Sequence, residues 1–328
     1  RTHRPTGGTA VGPNIVAALS KTAENEKIDI RKGTKAIALV KTKNRIVGVK
    51  VREIDGKEYT IKAKAVIVAT GGFGANAKMV EKYNPKLKGF GSTNNPAIVG
   101  DGIIMVEKVG GALVDMNEIQ THPTVVHNKT NMITEAVRGE GAILVNRDGK
   151  RFIDELETRD VVSKAILSQK GKSAFLIFDE DIRTKLKAAD GYVKKGFAVE
   201  GTLEEIAAKI GTDAKTLEAT LNKYNEAVKN KVDSEFNKKT LPKELTGDKY
   251  YAIEVSPAVH HTMGGVRINT NAEVLGKNGR PIKGLYAAGE VTGGIHGANR
   301  IGGNAVADIT VFGKIAGENA ATYSKSVK

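Results

Sequence analysis

The sequence predicts an α/β fold in which the two ends of the chain share one parallel sheet and the middle is an inserted α+β part. Two apolar runs predict strands of that sheet, 65–69 (AVIVA) and 284–290 (GLYAAGE), because such runs are typical of strands buried on both faces. From Met116 the sequence changes to loops dense in His, Thr, Arg and Glu, followed by polar helical patterns. The predicted parts are 1–115, 116–241 and 242–328.

The segment before the first apolar run predicts a helix and a small antiparallel meander. Apolar residues at helical spacing predict a helix over 14–27. Alternating patterns separated by Lys-Asn and Asp-Gly turn signals predict three strands, at 36–40, 46–51 and 59–63. A further helix is expected over 102–109, where two glycines end it.

Helix-capping patterns organise the rest of the chain. Thr202 and Glu205 form a capping-box pattern at the start of one helix, and Thr212 or Asp213 caps a second that runs to about Lys229. The stretch 233–248 is polar and contains proline, which predicts a linker. After the second apolar run, a glycine-rich loop leads into a final helix over 304–323.

Composition excludes several classes of protein. The chain has 328 residues, enough for one large domain or two ordinary ones, and no cysteine. Disulfides, thiolate zinc sites, iron–sulfur clusters and cysteine nucleophiles are therefore excluded from this chain. No apolar run reaches the ~18–20 residues that cross a bilayer, so we expect no membrane span.

The net charge of +14 raises the question of nucleic-acid binding. The lysines are spread along the chain near acidic residues and are not interleaved with aromatic residues, which make up only 5% of the chain. We therefore expect no nucleic-acid partner; a positive field that attracts small anions fits the same charge.

Glycines crowd between the second apolar run and the final helix, at 289, 293, 294, 297, 302 and 303. Such a density permits close backbone approach to a flat or phosphorylated ligand, and the helix that opens at 304–306 presents its positive end to an anionic group. A flexible surface loop is the alternative. The shorter Thr-Gly-Gly step at 70–72 is equally consistent with a simple turn.

Histidines and arginines supply the candidate polar groups. His122, His260 and His261 lie in predicted loops beside small residues, where imidazole can serve a site, although a single histidine is more often structural. No further carboxylates stand at metal-ligand spacing, so no metal is expected. Arginine forks bind carboxylates in bidentate fashion, and several arginines beside several histidines describe a pocket for a small polycarboxylate. The alternative for each arginine is an exposed, solvated side chain.

Several segments together resemble the soluble, flavocytochrome c-type fumarate reductases, within the superfamily of fumarate reductase and succinate dehydrogenase flavoproteins. The resemblance runs in order from about Arg4 to Tyr323. It implies an FAD-binding domain interrupted by a mobile clamp, or capping, domain that covers the site. The segments that carry it are 3–8 (HRPTGG), 69–73 (ATGGF), 100–102 (GDG), 120–124 (QTHPT), 134–139 (TEAVRG), 260–265 (HHTMGG), 289–294 (GEVTGG) and 296–303 (HGANRIGG).

The resemblance also implies roles for individual residues. Arg159 matches the arginine that delivers a proton to the substrate, and Glu135 and Arg138 match its proton relay. The positions that hold the two carboxylates of the dicarboxylate substrate are matched by His122, Thr134, Glu135, His260 and Arg300. Flavin contacts are matched by Ala36, Asp101, His261, Glu290, Ala305 and Val306.

In this family, a hydride passes from reduced flavin N5 to one olefin carbon and a proton adds to the other, which gives succinate from fumarate. The family's flavin domain begins with a strand and a G-x-G-x-x-G turn that holds the diphosphate, and this sequence begins without that element. We therefore expect a truncated product, in which FAD binding by the chain alone stays open. Haem motifs are also absent, so the electron donor is another domain or protein of the haem or FMN type. Family members commonly work outside the cytoplasm, and we expect an extracytoplasmic location.

Three alternatives remain open at this point. The chain could reduce another enoate such as urocanate, although His122 and the Thr134-Glu135 pair suit a second carboxylate. It could be an inactive fragment that binds a dicarboxylate without flavin. A basic nucleic-acid binder is the third, and steep salt dependence of DNA affinity would identify it.

Overall fold

The computed structural model describes residue 6 and the ranges 10–43 and 45–327. The segment 3–8 that contributes to the family resemblance lies, apart from Thr6, outside the described residues. Two 3₁₀ turns, Pro85–Leu87 and Lys170–Lys172, join longer elements. In chain order, the helices and strands are α1 (Val11–Asn25), β1 (Thr34–Thr42), β2 (Arg45–Glu53), β3 (Glu58–Lys62), β4 (Val66–Val68), α2 (Ala77–Tyr83), α3 (Asp101–Lys108), β5 (Leu113–Val114), β6 (Ile119–Val126), α4 (Glu135–Gly139), β7 (Ile143–Val145), α5 (Arg159–Leu167), β8 (Ala174–Asp179), α6 (Glu180–Lys185), α7 (Lys187–Lys194), β9 (Val199–Gly201), α8 (Leu203–Ile210), α9 (Ala214–Asn230), β10 (Tyr250–Thr262), β11 (Gly265–Arg267), β12 (Glu273–Leu275), β13 (Pro281–Ala287), β14 (Thr292–Gly293) and α10 (Asn304–Ser326).

The two ends of the chain share one six-stranded sheet, as the fold class predicts. Strands β1, β2 and β3 form the antiparallel meander, and β13 pairs in parallel with both β2 and β4. Gly48 in β2 faces β3 so closely that a Cβ there would lie 2.3 Å from the Ile61 carbonyl oxygen. The close approach of β2 and β3 at this point therefore leaves room for glycine only.

Strand β4 is shorter than the predicted run 65–69 and is buried on one face only. Val68 is buried against α3, where a Cβ at Gly102 would lie 2.7 Å from it. Ile67 points to the other face and is 41% exposed. The expectation of burial on both faces is therefore wrong for the described residues, because α10 contacts β4 without covering Ile67.

The middle of the chain forms a second, five-stranded antiparallel sheet, which we call the clamp sheet. It has the order β6-β10-β8-β7, with β9 also paired to β10. Its side chains build the larger hydrophobic core, with Leu176, Ile177 and Phe178 of β8 fully or almost fully buried. Helices α8 and α9 pack on this core, and α8 begins with the predicted capping box of Thr202 and Glu205.

Strand β10 and the segment before it add to the clamp sheet and to its buried groups. The stretch 233–248, predicted as a linker, contains three residues that are each at most 4% exposed, Asp233, Lys238 and Leu245. Strand β10 pairs with β6 and β8, so the clamp sheet includes residues after 241. The polar composition of the stretch concealed this burial because Asp233 and Lys238 pair with Arg151 and Glu155, which lie elsewhere in the chain.

None of the helices within 10–43 and 45–327 combines the length and the apolar character needed to cross a bilayer. A three-stranded sheet, in the order β14-β11-β5, joins the two larger sheets. Its central strand, β11, follows β10 in the chain and pairs with β14, which belongs to the glycine-rich loop 289–303.

Candidate active site

The candidate histidines lie on paired strands, not in loops as their sequence context predicts. His122 is on β6, opposite Ala258 of β10, and β10 ends in His260, His261 and Thr262. The rings of His122 and His260 meet edge to face with their centroids 5.4 Å apart. All eight residues of β6 are buried, although five of them are polar or proline, so the hydrophobic pattern gave no signal for a strand there.

Two short helices place Glu135 and Arg159 in contact. Thr134 caps α4, which starts at Glu135, and Arg159 is the first residue of α5. Arg159 Nε donates to Glu135 Oε1 over 2.8 Å, and Arg159 itself is 8% exposed. Burial alone would raise the pKa of Glu135, but the hydrogen bond and charge of Arg159 outweigh it and hold that pKa below its usual range.

Arg138 lies behind this pair, three residues along α4 from Glu135. Its NH2 group is 3.9 Å from Glu135 Oε1, and its NH1 group donates to the Glu155 carbonyl oxygen over 2.5 Å. It is 2% exposed, and its Nε and NH2 atoms have no hydrogen-bond partner among the described residues. Burial lowers the pKa of Arg138 to about 10. The three residues of the predicted relay therefore lie side by side, with Glu135 between the two arginines.

Gln120 completes this group, and the sequence analysis did not assign it a role. Arg159 NH1 donates to Gln120 Oε1 over 2.8 Å, and Gln120 Nε2 donates to the Arg300 carbonyl and to Asn299 Oδ1. The side-chain amide thus joins helix α5 to the glycine-rich loop. Its position two residues before His122, on the same face of a strand, was the available signal.

The glycine-rich loop packs directly on the Arg159–Glu135 pair. A Cβ at Gly302 would lie 2.9 Å from Glu135 Oε2 and 3.2 Å from Arg159 NH2. Arg300 is 6% exposed. Among the described residues its NH1 group donates to the neighbouring Ile301 carbonyl, and its Nε has no hydrogen-bond partner. Burial and the charge of Arg159 lower the pKa of Arg300 to about 10. This part of the site is therefore rich in positive charge that faces inward.

The site histidines are neutral at pH 7. Burial, together with the positive charge of Arg159, lowers the pKa of His122 well below its usual value and that of His260 to about 4. His260 Nδ1 is 2.7 Å from Thr93 Oγ1. His122 Nδ1 is buried and has no hydrogen-bond partner in the part of the chain that the structure describes. Neutral imidazoles beside charged arginines can donate hydrogen bonds to an anion without adding charge.

His261 contacts a different set of groups. Its Nδ1 atom is 3.4 Å from Glu290 Oε1, and its ring meets that of His296 edge to face. His296 Nε2 is in turn 3.1 Å from Asp308 Oδ2. Burial lowers the pKa of His261 to about 2 and raises the pKa of Glu290.

Glu290 and the predicted Thr-Gly-Gly turn meet at the carboxyl ends of the parallel strands β4 and β13. Thr262 donates its backbone N–H to Glu290 Oε1 over 3.0 Å, and a Cβ at Gly72 would lie 2.1 Å from Thr262 Oγ1. Ligands of open α/β sheets bind at this edge. The His261–Glu290 side therefore lies where a nucleotide cofactor is expected.

Four other predicted flavin contacts lie on three elements, α10, α3 and β1. Ala305 and Val306 are half-buried in the first turn of α10, after Gly303 with φ +92°. Asp101 is the first residue of α3 and pairs with Lys35 over 2.8 Å, next to Ala36 on β1. Within the described residues, no hydrogen bond or ion pair joins Asp101 or Ala36 to His261 or Glu290.

The donor set on the sheet side fits a flavin nucleotide. The buried His261 Nε2 and Asp308 Oδ1 atoms have no hydrogen-bond partner within the described residues. These groups offer both donors and acceptors to a polar, planar ring system. Within residues 10–43 and 45–327, no three carboxylate or imidazole groups come close enough together to hold a metal ion.

Several known proteins are similar to this chain in sequence or structure. The chain is 51% identical over 99% of its length to a protein of Shewanella frigidimarina named fumarate reductase (cytochrome), and 40% identical over 95% to urocanate reductase of Eggerthella lenta. It spans only 57% and 54% of those two proteins. A solved open conformation of a flavocytochrome c3 fumarate reductase matches 99% of this chain and 58% of its own, with 45% identity and a TM-score of 0.83. Residues 1–306 match the FAD binding domain family, and the chain belongs to that family.

Proposed function

We propose that this chain is the catalytic part of a flavin-dependent fumarate reductase, an oxidoreductase that forms succinate. The observation that carries the proposal is the line Arg159–Glu135–Arg138, whose two arginines are buried, set beside Arg300 and two neutral histidines. Such a line supplies a proton at one end and positive charge for an anionic substrate around it. The names of the relatives and the solved structure support the same reaction.

A small dicarboxylate fits the polar groups that the fold leaves unpaired. Arg300 Nε and His122 Nδ1 are buried, and neither has a hydrogen-bond partner among the described residues. Each could donate a hydrogen bond to a carboxylate oxygen of the substrate. We assign His122 and Thr134 to one carboxylate, and His260 and Arg300 to the other. Positive charge placed around a carboxylate stabilises the charge that develops there in the transition state, which makes the adjacent C=C bond easier to reduce.

Proton delivery falls to Arg159. An arginine has an ordinary pKa of about 12.5–13.8, so it is a weak acid and must be reprotonated at once. Glu135 lies within hydrogen-bond distance for that transfer, at 2.8 Å from Arg159 Nε. Arg138 follows it, and burial has already lowered the pKa of Arg138 to about 10, so it yields a proton more readily than an exposed arginine. Gln120 holds the other branch of the Arg159 fork still.

FAD, when bound, supplies the hydride. We propose that His261, Glu290 and the first turn of α10, with Ala305 and Val306, hold the flavin, and that Asp101 and Ala36 contact it from α3 and β1. The unpartnered polar atoms of His261 and Asp308 support this assignment. The division into an FAD-binding part and a clamp part is also a proposal, with the second boundary near strand β10.

The source of electrons lies outside this chain. We propose a donor domain or protein of the haem or FMN type and an extracytoplasmic location. The words cytochrome and flavocytochrome in the names of the similar proteins support a haem donor. Neither a nucleic acid nor a membrane is part of the proposal.

The test is turnover of fumarate by the purified chain after incubation with FAD. Flavin absorbance is measured first, followed by fumarate-dependent oxidation of a reduced viologen dye. We expect Arg159→Ala to lose at least 10³-fold in kcat, on the scale of a lost general acid. The control is Arg147→Ala, which removes an arginine on the far side of the clamp sheet that pairs with Glu254. Turnover that survives in Arg159→Ala would overturn the assignment of the proton donor.

A reductase of another enoate is the second candidate, favoured by the 40% identity to a urocanate reductase. Urocanate carries one carboxylate and an imidazole, so it would leave the His122 and Thr134 side without its anionic partner. The same dye assay with urocanate in place of fumarate decides between them. A higher kcat/KM for urocanate would replace fumarate as the proposed substrate. A colourless, inactive preparation would support a dicarboxylate-binding fragment instead.

A further inference from the structure

Four charged side chains are buried together in the clamp part, away from the groups assigned to substrate and flavin. We call Arg151, Glu155, Asp233 and Lys238 the buried charge cluster. Arg151 donates to both Glu155 oxygens, at 2.9 and 3.1 Å, and to Asp233 Oδ2 at 2.9 Å. Lys238 Nζ donates to Glu155 Oε2 at 2.7 Å. None of the four side chains is more than 2% exposed.

The cluster contains two acidic and two basic side chains, so its formal charges cancel. Burial alone would raise the pKa of Glu155, but Lys238 and Arg151 outweigh it and lower that pKa. Glu155 and Asp233 likewise more than offset the burial of Arg151 and raise its pKa. Buried ion pairs of this kind seldom stabilise a fold more than apolar residues of the same volume would, because desolvation offsets their attraction. Stability alone therefore does not account for the burial of four charged side chains at this place.

The cluster fixes the one atom that holds Arg138. Arg138 makes a single hydrogen bond in the described chain, from NH1 to the backbone carbonyl of Glu155. Glu155 cannot shift easily, because Arg151, Lys238 and the Leu144 N–H all bind its carboxylate. The remaining contact of Arg138 is the 3.9 Å approach of NH2 to Glu135, which is too long for a good hydrogen bond. The reach of Arg138 toward Glu135 thus depends on where the Glu155 carbonyl lies.

We propose that the buried charge cluster positions Arg138 for proton transfer to Glu135. This inference rests on the proposed function, since it assigns Arg138 to the proton relay. The four residues act through the Glu155 backbone and touch neither substrate nor flavin, so they are positioning residues. Asp233 and Lys238 come from the segment 233–248, which extends this positioning role to a part of the chain that follows α9.

The test is the charge-balanced double variant Glu155→Gln/Lys238→Met, which removes one charge of each sign. Its matched control is Arg147→Gln/Glu254→Gln, which removes a partly exposed ion pair between strand β10 and the segment after β7. In the FAD-loaded protein we expect the cluster variant to lose tenfold or more in kcat, with KM within twofold and a larger solvent isotope effect. The control should keep all three values. A purely structural role would leave the isotope effect unchanged.

A second readout needs no turnover. The ¹⁵N spectrum of the chain reports the Arg138 Nε–H group, and we expect its signal to shift and exchange faster with water in the cluster variant only. An unchanged Arg138 signal together with an unchanged kcat would overturn the proposal. If the double variant does not fold, Asp233→Asn carries the same test, because Arg151 keeps Glu155. Loss of fumarate turnover in the wild-type protein would defeat the proposed function but leave this spectral test standing.

Discussion

His260 offers a prediction whose size follows from the structure. Burial and Arg159 lower its pKa from an ordinary 6.5 to about 4. In the unfolded chain the imidazole takes up a proton as the pH falls through 6.5, whereas the folded protein resists it until about pH 4. The histidine therefore contributes to stability fully above pH 6.5 and loses that contribution as the pH falls to 4. At 1.36 kcal/mol for each pKa unit, the loss is about 3 kcal/mol.

The perturbation is His260→Gln, which keeps a hydrogen-bonding side chain near Thr93 but cannot be protonated. Urea denaturation of the wild-type chain and the variant at pH 7.5, 5.5 and 4.5 gives the free energy of unfolding of each. We expect the wild-type advantage over the variant to shrink by about 2.5 kcal/mol between pH 7.5 and 4.5, since pH 4.5 still lies above the pKa of His260 in the folded protein. His127→Gln, at a half-buried histidine bonded to Ser256, controls for the loss of any histidine.

Parallel pH profiles for His260→Gln and the wild-type chain would refute this reasoning. Such a result would mean that the folded protein takes up a proton at His260 as readily as the unfolded chain does, with the charge of Glu135 offsetting burial and the charge of Arg159.

Three further predictions test packing around the site and in the core. Gly302→Ala should lower fumarate turnover at least tenfold, because the added Cβ would lie 2.9 Å from a Glu135 oxygen; Gly317→Ala, where a Cβ meets open space, is its control, and equal activities would contradict the close approach. Tyr224→Phe should leave the melting temperature equal or higher, since the buried hydroxyl has no hydrogen-bond partner among the described residues. A large fall in the melting temperature would mean that the hydroxyl does make a hydrogen bond. Leu176→Ala should cost about 2–5 kcal/mol in urea denaturation, because the side chain is fully buried in the clamp sheet, and a cost under 1 kcal/mol would contradict that burial.

The regular elements of the fold were accessible from sequence because their signals are local. The meander, α3, the capped α8 and α10 each carry an alternation, a helical period or a capping pattern, and each is found within a few residues of its predicted bounds. The parallel pairing of β4 with β13 followed from two apolar runs separated by more than 200 residues. Exposure of Ile67 could not be foreseen, because it depends on which elements cover the sheet.

The site was only partly accessible, for a physical reason. Strands β6 and β10 carry polar residues at buried positions, where hydrogen bonds replace apolar packing, so a hydrophobic pattern cannot reveal them. Gln120 shows the same limit, since its value lies in joining Arg159 to the Arg300 loop across 180 residues. The buried charge cluster was likewise invisible, because a run of charges reads as solvated until its partners are known.

Strand β10 makes the site intolerant of a change in chain length. Its residues pair with β9, β8 and β6 in turn, and its last residues place His260 beside His122 and His261 beside Glu290. Since neighbouring residues of a strand point to opposite faces, deleting one residue within 250–259 would exchange the two imidazoles between the substrate side and the flavin side. The number of residues between Tyr250 and His260 is therefore constrained by the chemistry at the end of strand β10.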